Sequence, residues 1–556
     1  MLSKLFSSLI LLTICCSVNS IYLSDVDFDK TKISGPGLVP NSQLPYHYFY
    51  IQLKDKKLGH FLNESIVDEE NNLPIEPNEI FKVSIRYDTQ DSTSRKGQNL
   101  KIRTTSVGKY VVVFNIYGYQ KSASIEVKLL QPTKKLLKQG TIKNLSSKEC
   151  NCPNPNVKNW LKTNNCPRYL KNHQAQLNYD FKKFKNGGKK IDLDLLKQQF
   201  KSWQAGSGNS YAVCRYVIKN NEIFRDCAGK HIGFNMFSDE YLITLTKMVK
   251  LPDVEFIQNL GDWPLSTKQL NRNLGTNSIL PIVSWCGSEE TYDIILPTYD
   301  YTRTVLQGSL HNDIFGYLHE NDFNSQNDNQ PQKHSNHLSK KIPKAIWRGR
   351  DSRQERLELS KLSKKYPDKL DAGITAFFFF PKDESIFTDK IAMGDFNKYR
   401  VIISIDGTVA AYRMPYLLAM SSVILKVKSK YYEHFYRGLE EKLHYFSVKE
   451  DLSDVMEKID YLLDDGDDQD DKDNESKINI LQLNTVKARQ RALELLEPIS
   501  VLCYHVEFFK RYSEMMSREV IVHEGMEKIG KKEERFGQAC RGCAEGKYGS
   551  STKDEL

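Results

Sequence analysis

The chain has 556 residues, too many for a single hydrophobic core, so two or three domains are expected. Its 79 Lys and Arg against 70 Asp and Glu leave a formal charge of +9, spread without a dominant basic tract, which argues against a nucleic-acid partner. Past the first 20 residues every strongly hydrophobic stretch is broken by charge or proline within about 15 residues, so no membrane span is predicted.

The N-terminus opens Met1-Leu2-Ser3-Lys4, runs apolar from Leu5 to Cys16 and closes on Ser17-Val18-Asn19-Ser20. A basic start, a short apolar run and small residues before Ile21 read as a signal peptide over residues 1–20; a retained anchor would call for a stop-transfer pattern, and none follows. Residues 21–131 read as all-β. Alternation runs through Ala123, Ile125, Val127 and Leu129 and again around Phe81, Val83 and Ile85, with Gly35-Pro36-Gly37-Leu38 and Asn71-Asn72 as punctuation. Short strands at this spacing predict an immunoglobulin-like β-sandwich. The string Val107 to Phe114 and the opening Gly-Pro-Gly-Leu resemble filamin repeats.

Residues 132–149, with Lys134, Lys135, Lys138 and Lys143, are assigned to a linker. From 150 to 540 helical and strand patterns alternate, which argues for an α/β region with a largely parallel sheet. In the first unit Ser238 caps a helix through Leu242, Leu245 and Met248, and the strand Val254 to Leu260 ends in the turn Gly261-Asp262-Trp263-Pro264. In the second, the strand Ala345-Ile346-Trp347 leads past Arg350 into a helix for which Ser352-Arg353-Gln354-Glu355 has capping-box spacing. In the third, Val401 to Ile405 turns at Asp406-Gly407 into a helix through Ala410, Ala411 and Leu417, which Pro415 either kinks or begins. The polar stretch 320–339 and the acidic stretch 464–475 read as solvated loops. The clustered aspartates lack the glycine of a calcium loop, and no metal site is predicted. Residues 541–556 form a tail closing on Lys553-Asp554-Glu555-Leu556, an address read by the KDEL receptor. Signal and tail together predict residence in the endoplasmic reticulum lumen.

Nine cysteines follow the signal, an odd number that leaves at least one thiol free or paired between chains. Cys150/Cys152 and Cys540/Cys543 each lack a second ligand pair at zinc spacing, so disulfides are favoured in an oxidising compartment. Asn63, Asn144 and Asn474 lie in N-glycosylation sequons.

Open α/β sheets bind ligands beyond the carboxyl ends of their strands. Three unusual loops fall there: Gly261 to Pro264, Arg348 to Arg353, and Asp406 to Arg413. A diphosphate needs planar cationic donors and exposed amides, and Arg348, Arg350, Arg353, Arg356 and Arg413 cluster at two predicted helix starts. Gly407, Ala410 and Ala411 are small enough to let a phosphate approach the backbone. Neither the P-loop nor the G-x-G-x-x-G spacing is present, so a nucleotide-sugar is a better candidate than ATP or NAD.

The run WRGRDSRQERLELSKLSKKYPDKLDAGITAFFFF, with GDWP, SWCGS, DIILPTYD, IDGTVAAYRMPYLL, YYEHFYRGLE and the terminal KDEL, resembles the KDEL-motif protein O-glucosyltransferases of the Rumi-like, capsule-associated glycosyltransferase family, family 90. The resemblance covers nearly the whole mature chain. It implies a filamin-type domain ahead of a GT-B-like pair of Rossmann-like halves, and transfer of glucose, in some members xylose, from a UDP-sugar to serine in EGF-like repeats, with no metal or other cofactor. It matches Asp262 to the catalytic base, Arg356 to a donor diphosphate ligand, and Thr408, Val409, Ala410, Ala411, Tyr412 and Arg413 to the donor-binding loop. Arg350, also assigned to the donor site, stands where a narrower branch has serine, and the insertion near residue 330 departs from the usual pattern. The resemblance further implies that Cys503 joins the cysteine cluster near residue 150. A lumenal client- or glycan-binding protein without catalysis is the alternative reading.

Overall fold

The computed structural model describes residues 21–530, apart from 41–43, 55, 57–65, 68–74, 76, 88–99, 107–108, 117–118, 132–133, 147–149, 186–189, 207–210, 275–278, 308–336 and 465–471. The expected signal peptide, the Asn63 sequon, most of the polar stretch, Cys540, Cys543 and the C-terminal tail therefore lie outside the described residues. The rest is a mixed α/β structure with several sheets.

Residues 32–146 contribute two antiparallel sheets. One runs Lys32–Ser34, His47–Gln52, Lys109–Phe114, Lys101–Ser106, and the other Phe81–Tyr87, Tyr119–Leu129, Leu136–Ser146. Period-two alternation puts Phe49 and Ile51 of the first sheet and Ile85, Ile125 and Val127 of the second into one buried core. The stretch assigned to a linker is corrected here. Leu136–Ser146 is an eleven-residue strand paired along Tyr119–Leu129. Its lysines mask the apolar positions: Ile142 and Leu145 are buried while Lys143 is exposed. The outer face of His47–Gln52 docks on the rest of the chain: the Tyr48 and Tyr50 hydroxyls, two residues apart and so on one face, donate to the Glu497 carboxylate at 2.7 and 2.8 Å.

Two further sheets make up the larger region. The first runs Ile294–Ile295, Ile282–Ser284, Val254–Asn259, Ala212–Lys219, Glu222–Gly229, Glu527–Ile529, and only its first three strands are parallel. The second runs Leu370–Ala376, Ile342–Arg350, Tyr399–Ser404, Val423–Val427, Phe446–Val448 and is parallel throughout. The expectation of a largely parallel sheet thus describes the second and not the first. The difference comes from Asn220 and Asn221, whose φ values of +52° and +63° make a two-residue hairpin turn between antiparallel strands.

Helix boundaries also move. Ser238 is buried inside the helix Asn235–Met248, because a 3₁₀ turn at Ile232–Phe234 starts the coil earlier. The helix after Arg350 is Gln354–Lys365 with Arg353 at its cap and no side-chain cap bond, so the capping box does not form. The third helix is only Met414–Leu418: Pro415 marks its first turn, and Ala410 and Ala411 precede it. The acidic stretch is shorter than expected, since the helix Lys472–Leu495 already includes residues 472–475, with the Asn474 sequon in its first turn. The Asn144 sequon falls in the strand Leu136–Ser146.

The helix Pro498–Met515 is apolar on nearly all sides and correspondingly buried, sharing one core with the strands of the first sheet. Cys503 on this helix forms a disulfide with Cys166, within the expected cysteine cluster and 337 residues away in sequence. Cys214 and Cys227, directly opposite on the hairpin strands, form another, and Cys150 and Cys152 are also disulfide-bonded. The free thiol among the described residues is Cys286. Because Cys166–Cys503 closes so long a loop, Cys503→Ser is expected to cost about 2–5 kcal/mol, read as a lower midpoint in thermal denaturation under non-reducing conditions. No helix among the described residues is long and apolar enough to cross a membrane.

Candidate active site

All three loops singled out in the sequence lie at carboxyl ends of strands. Asp262 follows Val254–Asn259 of the first sheet, and Arg350 ends Ile342–Arg350 and Asp406 follows Tyr399–Ser404 in the second. The Asp262 loop is shaped by Asn259, whose side chain accepts from the Gly261 amide at 3.0 Å and donates to the Trp263 carbonyl at 2.7 Å. Behind the loop, the Cys286 thiol donates to the Asp262 carbonyl at 3.3 Å, and burial pushes that thiol's pKa well up, so it stays a neutral donor. Solvent reaches the Asp262 side chain, yet neighbouring protein crowds it enough to raise its pKa above the ordinary carboxylate value. The opposing influence is the positive charge of Arg350. Burial also raises Tyr299, and the charges of both Asp262 and Arg350 act on it; its ring lies 6.3 Å from that of Tyr412.

The five arginines divide by what they touch. Arg348 donates to the Asp371 carboxylate at 2.6 Å and to two carbonyls, and Arg353 reaches Glu450 at 3.0 Å and Glu355 at 3.3 Å. Both are committed to internal carboxylates. Arg350 is exposed and stacks over Phe378, 5.5 Å from its ring centre. The turn carrying Phe378 is pinned by Asp351, whose buried carboxylate accepts from the amides of Phe378, Phe379 and Phe380. Arg413 donates to the Arg348 carbonyl at 2.6 Å and stacks on Trp347 and Phe396, while its Nη2 is enclosed with no hydrogen-bond partner among the described residues.

Arg356 is buried. Its guanidinium donates to the carbonyls of Asp406 at 2.7 Å, Arg350 at 3.0 Å and Ile405 at 3.1 Å, tying together the ends of two neighbouring strands. Burial, with the nearby charge of Arg413, lowers its pKa to about 9, and burial lowers that of Arg413 to about 10, so both remain charged at neutral pH. Gly407, expected to admit a phosphate, stands against this side chain, and so does Gly349. A Cβ on Gly407 would come 3.2 Å from Arg356 Nη2, and one on Gly349 would sit 2.6 Å from the Trp347 ring and 3.3 Å from Arg356 Nη1.

The segment 408–413 is a compact loop. The Gly407 amide donates to the Val409 carbonyl at 3.0 Å and the Ala411 amide to Asp406 Oδ1 at 3.2 Å. Val409, Ala410 and Ala411 are buried, and Val409 and Ala410 share a small apolar cluster with Cys286, Tyr431 and Tyr412 that joins the two halves; Thr408 is half-buried. Cys286 and Tyr299 had no role in the sequence reasoning. Each lay inside a recognised motif, and only the packing shows that they stand beside Asp262.

The Asp262 loop thus meets the 406–413 loop through Cys286, Asp262 feels the charge of Arg350, and Arg356 and Arg413 bind the strand-end carbonyls beside them. Residues 161–546 match Glycosyl transferase family 90. The chain belongs to that family. This glycosyltransferase is similar to "Protein O-glucosyltransferase 2" of Danio rerio, at 36% identity over 511 residues and 90% of each chain, and to "Protein O-glucosyltransferase 3" of Homo sapiens, at 35% over 520 residues and 92% of each. A more distant relative is "O-glucosyltransferase rumi homolog" of Aedes aegypti, 26% identical over 337 residues, which are 60% of this glycosyltransferase and 78% of the relative.

Proposed function

We propose that this glycosyltransferase is a protein O-glucosyltransferase of the endoplasmic reticulum lumen, moving glucose, or xylose, from a UDP-sugar to serine hydroxyls of EGF-like repeats. The observation that carries the reading is the Asp262 loop, under the charge of Arg350, packed through Cys286 against the 406–413 loop whose strand end is tied by Arg356. The signal-like N-terminus and the terminal KDEL, a ligand for the KDEL receptor, support the compartment. Two antiparallel sheets on one core support a filamin-type, immunoglobulin-like sandwich, and two α/β sheets with the candidate loops at their strand ends support a GT-B arrangement.

In this mechanism Asp262 accepts the proton of the acceptor serine as that oxygen bonds to the anomeric carbon. The bond from that carbon to the UDP oxygen breaks on the opposite face, so the configuration inverts. Arg350 and Arg413 offset the charge growing on the departing diphosphate, while Arg356 holds the strand ends that carry them. No step uses a metal. Incubation of the purified protein with UDP-glucose or UDP-xylose and a folded EGF-like repeat is expected to add one hexose or pentose to the intact mass, unchanged by a chelator. Binding of the repeat without mass gain would instead mean a client-holding protein, and loss of transfer with chelator would overturn the metal-free mechanism.

A further inference from the structure

The Asp262 loop has a second face that the donor reading leaves unused. Trp263, the next residue, is 56% exposed and stands edge-on to Tyr431, with ring centroids 5.9 Å apart. These rings line a cavity of about 400 Å³, within the size range of ligand sites, with Lys268, Gln269 and Arg272 of the short helix Lys268–Asn273 and with Ser288, Glu290 and Thr291. Tyr431 comes from the second half of the region, where Tyr431–Tyr432 pairs with Gly287–Ser288. The cavity therefore straddles both halves, next to the residue assigned as base.

Its chemistry is one-sided. Lys268 and Arg272 are exposed and four residues apart, hence neighbours on one helical face. Arg272 donates to the uncharged Gln269 at 2.8 Å, and neither cation has a carboxylate partner among the described residues. The acid in the lining, Glu290, is already engaged by Lys430 at 2.9 Å. Exposed aromatic surface and two uncompensated cations thus share one hollow.

We infer that this hollow is an acceptor subsite: it takes the polypeptide flanking the target hydroxyl, with an apolar or aromatic side chain against Trp263 and Tyr431 and a carboxylate against Lys268 and Arg272. A neutral sugar would use the rings and leave both cations unpaired, so the chemistry favours an acidic peptide segment. The inference rests on the protein O-glucosyltransferase reading, because it needs a polypeptide acceptor.

The test uses the full chain, UDP-glucose and a series of folded EGF-like repeats in which Glu or Gln is placed in turn at each position flanking the acceptor serine. At one position Glu is expected to lower the acceptor KM about tenfold relative to Gln. In the double variant Lys268→Glu/Arg272→Glu that preference should disappear and Lys at the same position should be favoured, while the KM for UDP-glucose, its hydrolysis by water and the Tm stay at wild-type values. Finding no position at which Glu outperforms Gln, or finding the preference intact in the double variant, overturns the subsite. A double variant impaired only toward repeats that already carry a sugar would assign the hollow to a glycan and overturn it equally. If no repeat is modified at all, the activity reading fails by itself; calorimetric binding of the same Glu and Gln repeats then decides the subsite, and equal affinities overturn it.

Discussion

Asp262→Asn is expected to lower turnover by about a hundredfold or more while leaving UDP binding intact. An amide keeps the shape of the side chain and its place beside Arg350 but cannot take a proton from the acceptor serine. Thermal stabilisation by UDP should therefore persist in the variant, and single-turnover transfer should be slow. The pH profile gives a second signature. Crowding raises the Asp262 pKa above the ordinary carboxylate value, against the pull of Arg350. A base works only when ionised, so kcat/KM should be fully developed above that raised pKa and fall as pH drops through it. In Asp262→Asn this acid limb should vanish from the residual rate. Near-normal activity in the variant, or an unchanged limb, would assign the base to another residue.

Arg356→Lys is expected to cost about 3–5 kcal/mol of stability and most of the activity, although the charge is kept. The guanidinium spans three carbonyls belonging to the ends of two strands, those of Arg350, Ile405 and Asp406. One ammonium on a flexible stem cannot reach all three, and the carbonyls left over are in a buried place where an unmet hydrogen bond is costly. Thermal denaturation without nucleotide separates two roles for this arginine. A clamp lowers the Tm in the absence of any ligand, whereas a residue acting only on the diphosphate leaves the Tm unchanged and removes the UDP-induced rise. A wild-type Tm together with wild-type turnover would contradict both.

The loops of the site were legible because their neighbours in sequence were. Ala345 to Trp347 and Val401 to Ile405 are apolar runs followed by Arg348 and by Asp406-Gly407, and Val254 to Leu260 leads into Gly261-Asp262; such strand ends gather ligands. The side-chain assignments were less legible. Five arginines looked alike as a cluster, but Arg348 is held by Asp371, 23 positions away, and Arg353 by Glu450, 97 away, beside its neighbour Glu355, and no local pattern announces the distant partners. Gly407 was read as space for a phosphate because a missing Cβ says that something approaches closely without saying what; here it is Arg356. The strand Leu136–Ser146 was missed because four lysines in and before it outweighed Ile142 and Leu145, the apolar residues it buries, which stand three apart and so show no period-two alternation.

By itself the sequence determined what depends on near neighbours: the alternating strands, the odd cysteine, the signal-like and KDEL ends, and the motifs shared with family 90. Only the tertiary structure decided what depends on distant ones. It chose Cys166 as the partner of Cys503 across 337 residues, seated Tyr48 and Tyr50 on Glu497, set Cys286 behind Asp262, and turned Arg356 inward as a clamp. Backbone propensity and hydrophobic period are local quantities written in consecutive residues, whereas burial, hydrogen-bond satisfaction and charge pairing exist only once remote segments have been packed together.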